Sequence, residues 1–315
     1  MTRFQTQAVL VLLATLLTLS TTRSANAADP IRVGTMTVQR HGDHGTPLIL
    51  IPGLASGGWV WDDAVAALKK DHVVYVVTLA GFDGIPPVQG KLMDLANDSL
   101  LELIRTQHLD HPVLIGHSLG GTLSIQFAEN HSDLISGVIA IDGLPVFPGT
   151  EQVPAQQRAM MADGIRKRMA GATTQQFAAQ QLQFMKTIGV LAEARAIELA
   201  SKTSRSDPAA TAQYMSEDIA LDLRSGLASI TVPVLEICPY NAADFPPAHL
   251  MTEPQKTAYY RTLLQGTPRL EVVSIAPSRH FVMIDQPAAL ANALTRFLNA
   301  LPATTAAIPT TRRQE

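Results

Sequence analysis

The sequence is poor in cysteine and in charged residues. Cys238 is the only cysteine among 315 residues, so the chain cannot form an intrachain disulfide. Because this residue ends an apolar run, we expect it to be buried and unreactive. Charged residues make up 16% of the chain and the formal net charge is −3, so the charge does not favour a polyanion such as a nucleic acid as partner. Hydrophobic residues reach 46%, which allows a large core and excludes a disordered or fibrous protein.

The N-terminal apolar run is too short to span a membrane. It covers residues 8–19, whereas a spanning helix needs about 20 residues. Arg3 precedes the run, and residues 25–27 (Ala-Asn-Ala) form a cleavage pattern after it. Residues 1–27 are therefore predicted to be a signal peptide cleaved after Ala27, with an uncleaved anchor as the alternative. The mature protein is then expected in the periplasm or outside the cell, without a stable membrane anchor.

Short apolar runs alternate with helical patterns along most of the chain. Most of these runs lack in–out alternation, which is typical of parallel strands buried on both faces. The order predicts the α/β class, with a mostly parallel central sheet flanked by helices. The predicted strands are residues 35–40, 47–52, 73–79, 113–116, 138–141, 232–237 and 270–275, and the predicted helices are residues 60–70, 92–107, 119–130 and 287–301.

One long region interrupts this order. Residues 145–230 contain no convincing strand, several amphipathic stretches, and a helix start at residues 206–208 (Ser-Asp-Pro). We predict a helical cap inserted between the strands near 138–141 and 232–237. The predicted organisation is a signal peptide (1–27), a core (28–144 and 231–301), a cap (145–230) and a disordered tail (302–315).

A candidate nucleophile lies in the sequence Gly116-His117-Ser118-Leu119-Gly120, between a predicted strand and a predicted helix. A sharp turn there forces the serine into strained backbone angles, and the two glycines relieve the resulting crowding. The turn would lift the hydroxyl above the sheet edge, next to the N–H groups that open the helix.

With this motif, the chain resembles the α/β-hydrolase family over residues 31–300, within the group of small serine esterases, lactonases, cofactor-free haloperoxidases and aminopeptidases. The resemblance implies a Ser–His–acid triad on one sheet, with the substrate entering beneath a variable cap.

His280 is the candidate base for Ser118, since a serine hydroxyl becomes a good nucleophile only when a base takes its proton. It follows the last predicted strand after a short loop, which matches the late loop that carries the family's histidine. His117 is expected to pack beside the nucleophile. The stretch from His41 to His44 is interpreted as a Gly-containing link between strands, so we expect no metal and no cofactor.

Two aspartates are candidates for the acid that orients the imidazole. Relatives usually carry it after the strand that follows the cap, where Asp244 lies seven residues beyond Ile237. Asp142 directly follows the strand that precedes the cap, a position used by a minority of the family. Asp142 is preferred because a strand end holds a side chain more rigidly than a loop does, and Asp244 stays open as the alternative.

Two backbone N–H groups are predicted to form the oxyanion hole. Leu119 offers one at the start of the helix after the nucleophile. By resemblance to the family's His-Gly loop, Leu54 offers the other, although Pro52 stands where relatives often have histidine.

An apolar acyl or aryl ester of a small molecule is the expected substrate, cleaved by a carboxylesterase-like serine hydrolase. The alternatives are an amide or peptide substrate, peracid formation of the haloperoxidase type, or a binding protein without catalysis. The oligomeric state stays open. The candidate pocket walls are Trp59, Phe82, Leu144 and Phe147, together with Leu54, Trp61, Leu119, Val146, Met160, Met161, Met169, Met185 and Met215.

Overall fold

The computed structural model describes residues 29–245 and 251–302. The predicted signal peptide, and the predicted disordered tail beyond residue 302, lie outside the described residues. Within them, no helix combines the length and the apolar character that crossing a membrane requires.

A single eight-stranded sheet forms the centre of the described structure, in the order β1-β2-β4-β3-β5-β6-β7-β8. The first two strands pair antiparallel, as do β2 and β4, and all other neighbours are parallel. The prediction of a mostly parallel sheet is thus confirmed. The strands are β1 Ile31–Val33, β2 Met36–His41, β3 Pro47–Ile51, β4 Val73–Thr78, β5 Val113–His117, β6 Gly137–Ile141, β7 Val234–Pro239 and β8 Leu270–Ile275.

Two hydrophobic cores cover the two faces of the sheet. In β3, Ile49 and Ile51 belong to one core, while Leu48 and Leu50 belong to the other. Because successive strand residues point to opposite faces, burial on both sides requires the continuous apolar run seen in the sequence. The flanking helices are α1 Asp62–Leu68, α2 Leu92–Thr106, α3 Leu119–His131, α8 Glu253–Leu263, α9 Val282–Asp285 and α10 Pro287–Ala300.

Four helices lie between β6 and β7, where the sequence predicts a helical cap. They are α4 Ala155–Ala170, α5 Thr174–Phe184, α6 Glu193–Thr203 and α7 Pro208–Ala220. The predicted helix start is confirmed, because the Asp207 side chain accepts a hydrogen bond from the Ala210 N–H at 2.7 Å. Glu217 joins α7 to α2, because its carboxylate accepts hydrogen bonds from the backbone N–H groups of Leu92 and Met93 at the start of α2. This contact attaches the cap to one of the helices that flank the sheet.

Three elements differ from the sequence prediction. Strand β1 has only three residues, too few to show a period. Strand β7 begins at Val234 rather than at residue 232. Helix α8 was not predicted, although its start carries a capping box in which Thr252 and Gln255 bond each other's backbone N–H groups. Cys238 is buried as predicted, and burial raises the pKa of its thiol to about 12.

Candidate active site

Ser118 occupies a strained turn between β5 and α3, with φ +53° and ψ −122°. Glycines at the flanking positions make this turn possible. A Cβ on Gly120 would lie 2.3 Å from the carbonyl oxygen of Ile51, and one on Gly116 would lie 2.1 Å from the carbonyl oxygen of Gly120. Because both close contacts are with backbone atoms, only glycine fits. The geometry is that of a nucleophile presented at the carboxyl edge of the sheet.

Asp142 and His280 form a close pair at the same edge. Asp142 follows β6 with φ +52°, and its Oδ2 lies 2.5 Å from Nδ1 of His280. The Tyr260 hydroxyl donates a hydrogen bond to the other carboxyl oxygen, Oδ1. Burial alone would raise the pKa of Asp142, but the charge and hydrogen bond of His280 outweigh it, so this pKa lies well below its usual value. An ionised carboxylate accepts the Nδ1 proton, which leaves Nε2 of the imidazole free to accept another.

The loop that carries His280 lies directly over the nucleophile turn. His117, adjacent to Ser118, donates from Nε2 to the carbonyl oxygen of His280 at 3.0 Å, and the two imidazole centroids are 4.6 Å apart. Burial, aided by the nearby charge of His280, lowers the pKa of His117 to about 3. His117 is therefore neutral and fully buried, as a packing residue should be. Ser118, Asp142 and His280 all line one cavity.

The alternative acid, Asp244, contacts Arg279 and not the imidazole. The Arg279 side chain donates to both oxygens of Asp244, at 2.6 to 3.0 Å. The same guanidinium donates to the carbonyl oxygens of Lys186 and Val190, which adjoin the cap helices. Asp244 thus fastens the histidine loop to the cap, whereas Asp142 is the carboxylate that meets His280.

The two predicted oxyanion donors lie on either side of the nucleophile. Leu119 opens α3, and Leu54 follows β3 in a turn where Ala55 has φ +55°. The turn comes close to the nucleophile, since a Cβ on Gly53 would lie 3.0 Å from Cβ of Ser118. Among the hydrogen bonds of the described residues, the N–H groups of Leu54 and Leu119 donate none. Both are therefore available to a ligand oxygen.

The shared cavity has a volume of about 470 Å³ and lies between the sheet edge and the cap. Its lining contains no lysine or arginine, so it offers no fixed positive charge to an anionic substrate. Among the predicted wall residues, those that line it are Leu54, Leu144, Val146, Phe147, Met169 and Met215.

Seven predicted wall residues do not line this cavity, and the prediction is corrected for them: Trp59, Phe82, Trp61, Leu119, Met160, Met161 and Met185. The Phe82 ring is fully buried in one core and packs 4.9 Å from the ring of Tyr214. Trp59 packs against the other core, with the Lys202 ammonium 5.1 Å above its ring. Trp59 follows β3 and Phe82 follows β4, but their side chains pack with the cores and do not reach the cavity.

Sequence reasoning missed three polar residues near the site. Tyr260 reaches Asp142 from α8, and no sequence pattern connects a residue on that helix with a strand end. Thr211 and Asp218 line the cavity from α7, as does Met215. Their spacing of four and three residues places all three on one helical face. With a helix that starts at Asp207, this spacing in the sequence predicts that the three residues share a face.

The described residues contain no group of three or more histidine, cysteine, aspartate or glutamate side chains able to hold a metal ion. In the stretch near His41, Asp43 pairs with the neighbouring His44 at 2.6 Å, and both side chains are exposed.

Comparisons with known proteins place this geometry among hydrolases. The sequence model of the Alpha/beta hydrolase family matches residues 48–293. A carbendazim hydrolyzing esterase from Nocardioides sp. is 26% identical over 78% of this chain and 97% of its own length. A putative carbamate hydrolase RutD from Yersinia enterocolitica is 30% identical over 31% of this chain, and the chain spans only 36% of that relative's length. A bromoperoxidase structure from Bacillus anthracis shares the fold, with a TM-score of 0.71 and 19% identity over 86% of this chain and 99% of its own.

Proposed function

Because the chain belongs to the alpha/beta hydrolase family, we propose that it is an exported serine hydrolase that cleaves carboxylic esters through Ser118, His280 and Asp142. The observation that carries the proposal is the 2.5 Å contact between Asp142 and His280 on the cavity that Ser118 also lines. A strained serine, an oriented imidazole and two unused N–H groups at one site form the set that acyl transfer requires.

The proposed reaction proceeds through an acyl-enzyme. Nε2 of His280 takes the proton of the Ser118 hydroxyl while Oγ attacks the ester carbonyl carbon. The negative charge that develops on the carbonyl oxygen accepts hydrogen bonds from the N–H groups of Leu54 and Leu119, each worth about 3 kcal/mol in the transition state. His280 then passes the proton to the departing alcohol oxygen.

Water completes the reaction at the same atoms. His280 removes a proton from the attacking water, whose oxygen bonds to the acyl carbon. The bond between the acyl carbon and Oγ of Ser118 then breaks, and His280 gives the proton to Oγ. Throughout both halves, Asp142 keeps the imidazole in the required tautomer and stabilises its charged form. The products are the free acid and the restored serine.

The cavity supports a small, mainly apolar ester. Its walls include Leu144, Phe147, Phe184 and Ile188, and its volume suits a small molecule. A relative that aligns with 78% of this chain carries the name of an esterase, which favours an ester over an amide. Export is proposed from the N-terminal signal-peptide pattern alone.

A fluorophosphonate probe tests this proposal. The wild-type protein should be labelled and should hydrolyse nitrophenyl esters of short and medium acyl chains, whereas Ser118→Ala should do neither. Ser204→Ala, which removes a hydroxyl on the cap outside the cavity, serves as the matched control and should behave as the wild type. Absence of labelling in the folded wild type would refute a serine mechanism. Labelling that persists in Ser118→Ala would refute the choice of nucleophile.

A further inference from the structure

The cavity contains a second polar cluster that the ester reaction does not use. It consists of Thr122 on α3 and of Thr211 and Asp218 on α7, all of which line the cavity. Thr122 follows Ser118 by four residues, and its backbone N–H donates to the carbonyl oxygen of Ser118 at 3.0 Å. We call these three residues the donor subsite.

Asp218 is a half-buried carboxyl group on the cavity wall, and it forms no salt bridge among the described residues. The lining residues include no lysine or arginine, and burial raises the pKa of Asp218 to about 7 despite a neighbouring hydroxyl, that of Thr122. Thr122 already donates its proton to the carbonyl oxygen of Leu144 at 3.0 Å. Since a hydroxyl has one proton, it cannot donate to both groups at once. The carboxyl oxygens therefore keep unused capacity to accept hydrogen bonds.

Thr211 presents a second unpaired polar group to the same cavity. Thr211 is fully buried, and its hydroxyl has no hydrogen-bond partner among the described residues. Leaving a buried hydroxyl unpaired is unfavourable, and such groups are normally satisfied. Both Thr211 and Asp218 line the space where a substrate would lie, so a hydrogen-bonding group on the substrate can pair with them.

A purely structural role for Asp218 explains less. The neighbouring Glu217 already fastens α7 to α2 through two backbone N–H groups. An acidic residue on the apolar inner face of the cap adds nothing to that attachment. It also costs stability when ionised.

We propose that Asp218 and Thr211 bind an N–H or O–H donor on the substrate, so that the enzyme prefers esters carrying an amino or hydroxyl group a few bonds from the scissile carbonyl. This inference rests on the proposed esterase function and names the substrate class of the same site. A hydroxyl would donate to Asp218 and accept from Thr211, whereas an ammonium would pair with the carboxylate.

Methyl esters of hexanoic acid test the inference, with acid release followed at constant pH. The series comprises the unsubstituted ester and the esters that carry a hydroxyl or an amino group on the third or the sixth carbon. For the wild type, the best donor-bearing ester should exceed the plain ester in kcat/KM by about ten- to a hundredfold. In Asp218→Leu the ratio should fall to about one. Asp218→Asn, which keeps an accepting oxygen, should lose the preference for the amino ester and keep most of that for the hydroxy ester.

Two further variants complete the test, one within the donor subsite and one outside it. Thr211→Val preserves shape and should lower the preference without abolishing it. Glu193→Gln neutralises an exposed acid on the cap and should leave the preference unchanged. Melting temperatures show which variants are folded.

The outcomes separate the two proposals. If the wild type hydrolyses all the esters equally well, the donor subsite is refuted while the esterase function stands. A preference that survives in both folded Asp218→Leu and Thr211→Val also refutes it. If the wild type hydrolyses none of these esters and none of the nitrophenyl esters, the proposed function itself fails.

Discussion

Replacing Asp142 by asparagine should nearly abolish turnover while preserving the fold. The reason lies in how the carboxyl group is held. Tyr260 donates a hydrogen bond to Oδ1, and Nδ1 of His280 faces Oδ2. In the variant, the amide oxygen accepts the Tyr260 proton, so the amide NH2 group must face Nδ1. The imidazole then accepts at Nδ1 and carries its proton on Nε2, where it cannot take the proton of Ser118.

The expected loss follows from this reversed tautomer. In a Ser–His–Asp triad the change lowers kcat by about 10⁴-fold, which corresponds to about 5.5 kcal/mol at 1.36 kcal/mol per tenfold change. KM should change little, because Asp142 and His280 act on the reacting groups rather than on ground-state binding. Asparagine matches aspartate in size, so the cavity wall should keep its shape.

Steady-state hydrolysis of a nitrophenyl ester measures the effect, with Asp244→Asn as the matched control. Asp244 pairs with Arg279, so the control should lose at most about tenfold in kcat through a looser histidine loop. A kcat for folded Asp142→Asn within about threefold of the wild type would refute the reasoning. A far larger loss in Asp244→Asn than in Asp142→Asn would transfer the acid's role to that residue.

Two further predictions concern stability. Gly120→Ala should sharply lower the melting temperature or the soluble yield, because its Cβ would lie 2.3 Å from the Ile51 carbonyl oxygen. The control is Gly164→Ala in α4, whose Cβ would meet nothing closer than 3.7 Å and which should be neutral or stabilising by up to about 1 kcal/mol. Equal melting temperatures for the two variants would contradict this reasoning. Burial raises the pKa of Glu129 to about 7, so the native state binds more protons than the unfolded state between about pH 4.3 and 7, and stability falls as the pH rises through that window. The free energy of unfolding in urea should therefore be about 1–3 kcal/mol larger for Glu129→Gln than for the wild type above pH 7, and equal for the two near pH 4. A gain in stability that is independent of pH would contradict the ionisation of a buried Glu129.

Much of the fold can be predicted from local sequence patterns. The run at β3 is apolar at every position because both faces of the strand are covered, and this feature alone predicts a parallel strand. The start of α7 at Asp207 follows from a side-chain cap and a proline in the first turn, both of which are sequence neighbours. The turn at Ser118 is equally local, since the glycines on either side are what the backbone there requires. Features of this kind depend on residues within one turn or strand.

Other features depend on residues far apart in the chain. The prediction that Trp59 and Phe82 form pocket walls was wrong, because the direction of the backbone decides which way a side chain points. Helix α8 went unpredicted even though its capping box is legible, because its apolar face is short and weakly periodic. The carboxyl of Asp218 gave no signal by itself, since an aspartate on a helix is usually exposed.

The amino-acid sequence by itself determined the strand-rich α/β architecture, the strained turn at Ser118 and the late loop of His280, because each arises from interactions between near neighbours. Only the tertiary structure decided that Asp142 rather than Asp244 meets the imidazole, that Tyr260 fixes the carboxyl, and that an acid faces the substrate cavity. Those outcomes depend on which strand ends and helix faces converge in space. Sequence spacing does not record that convergence, because the chain between them is long and its path is set by packing.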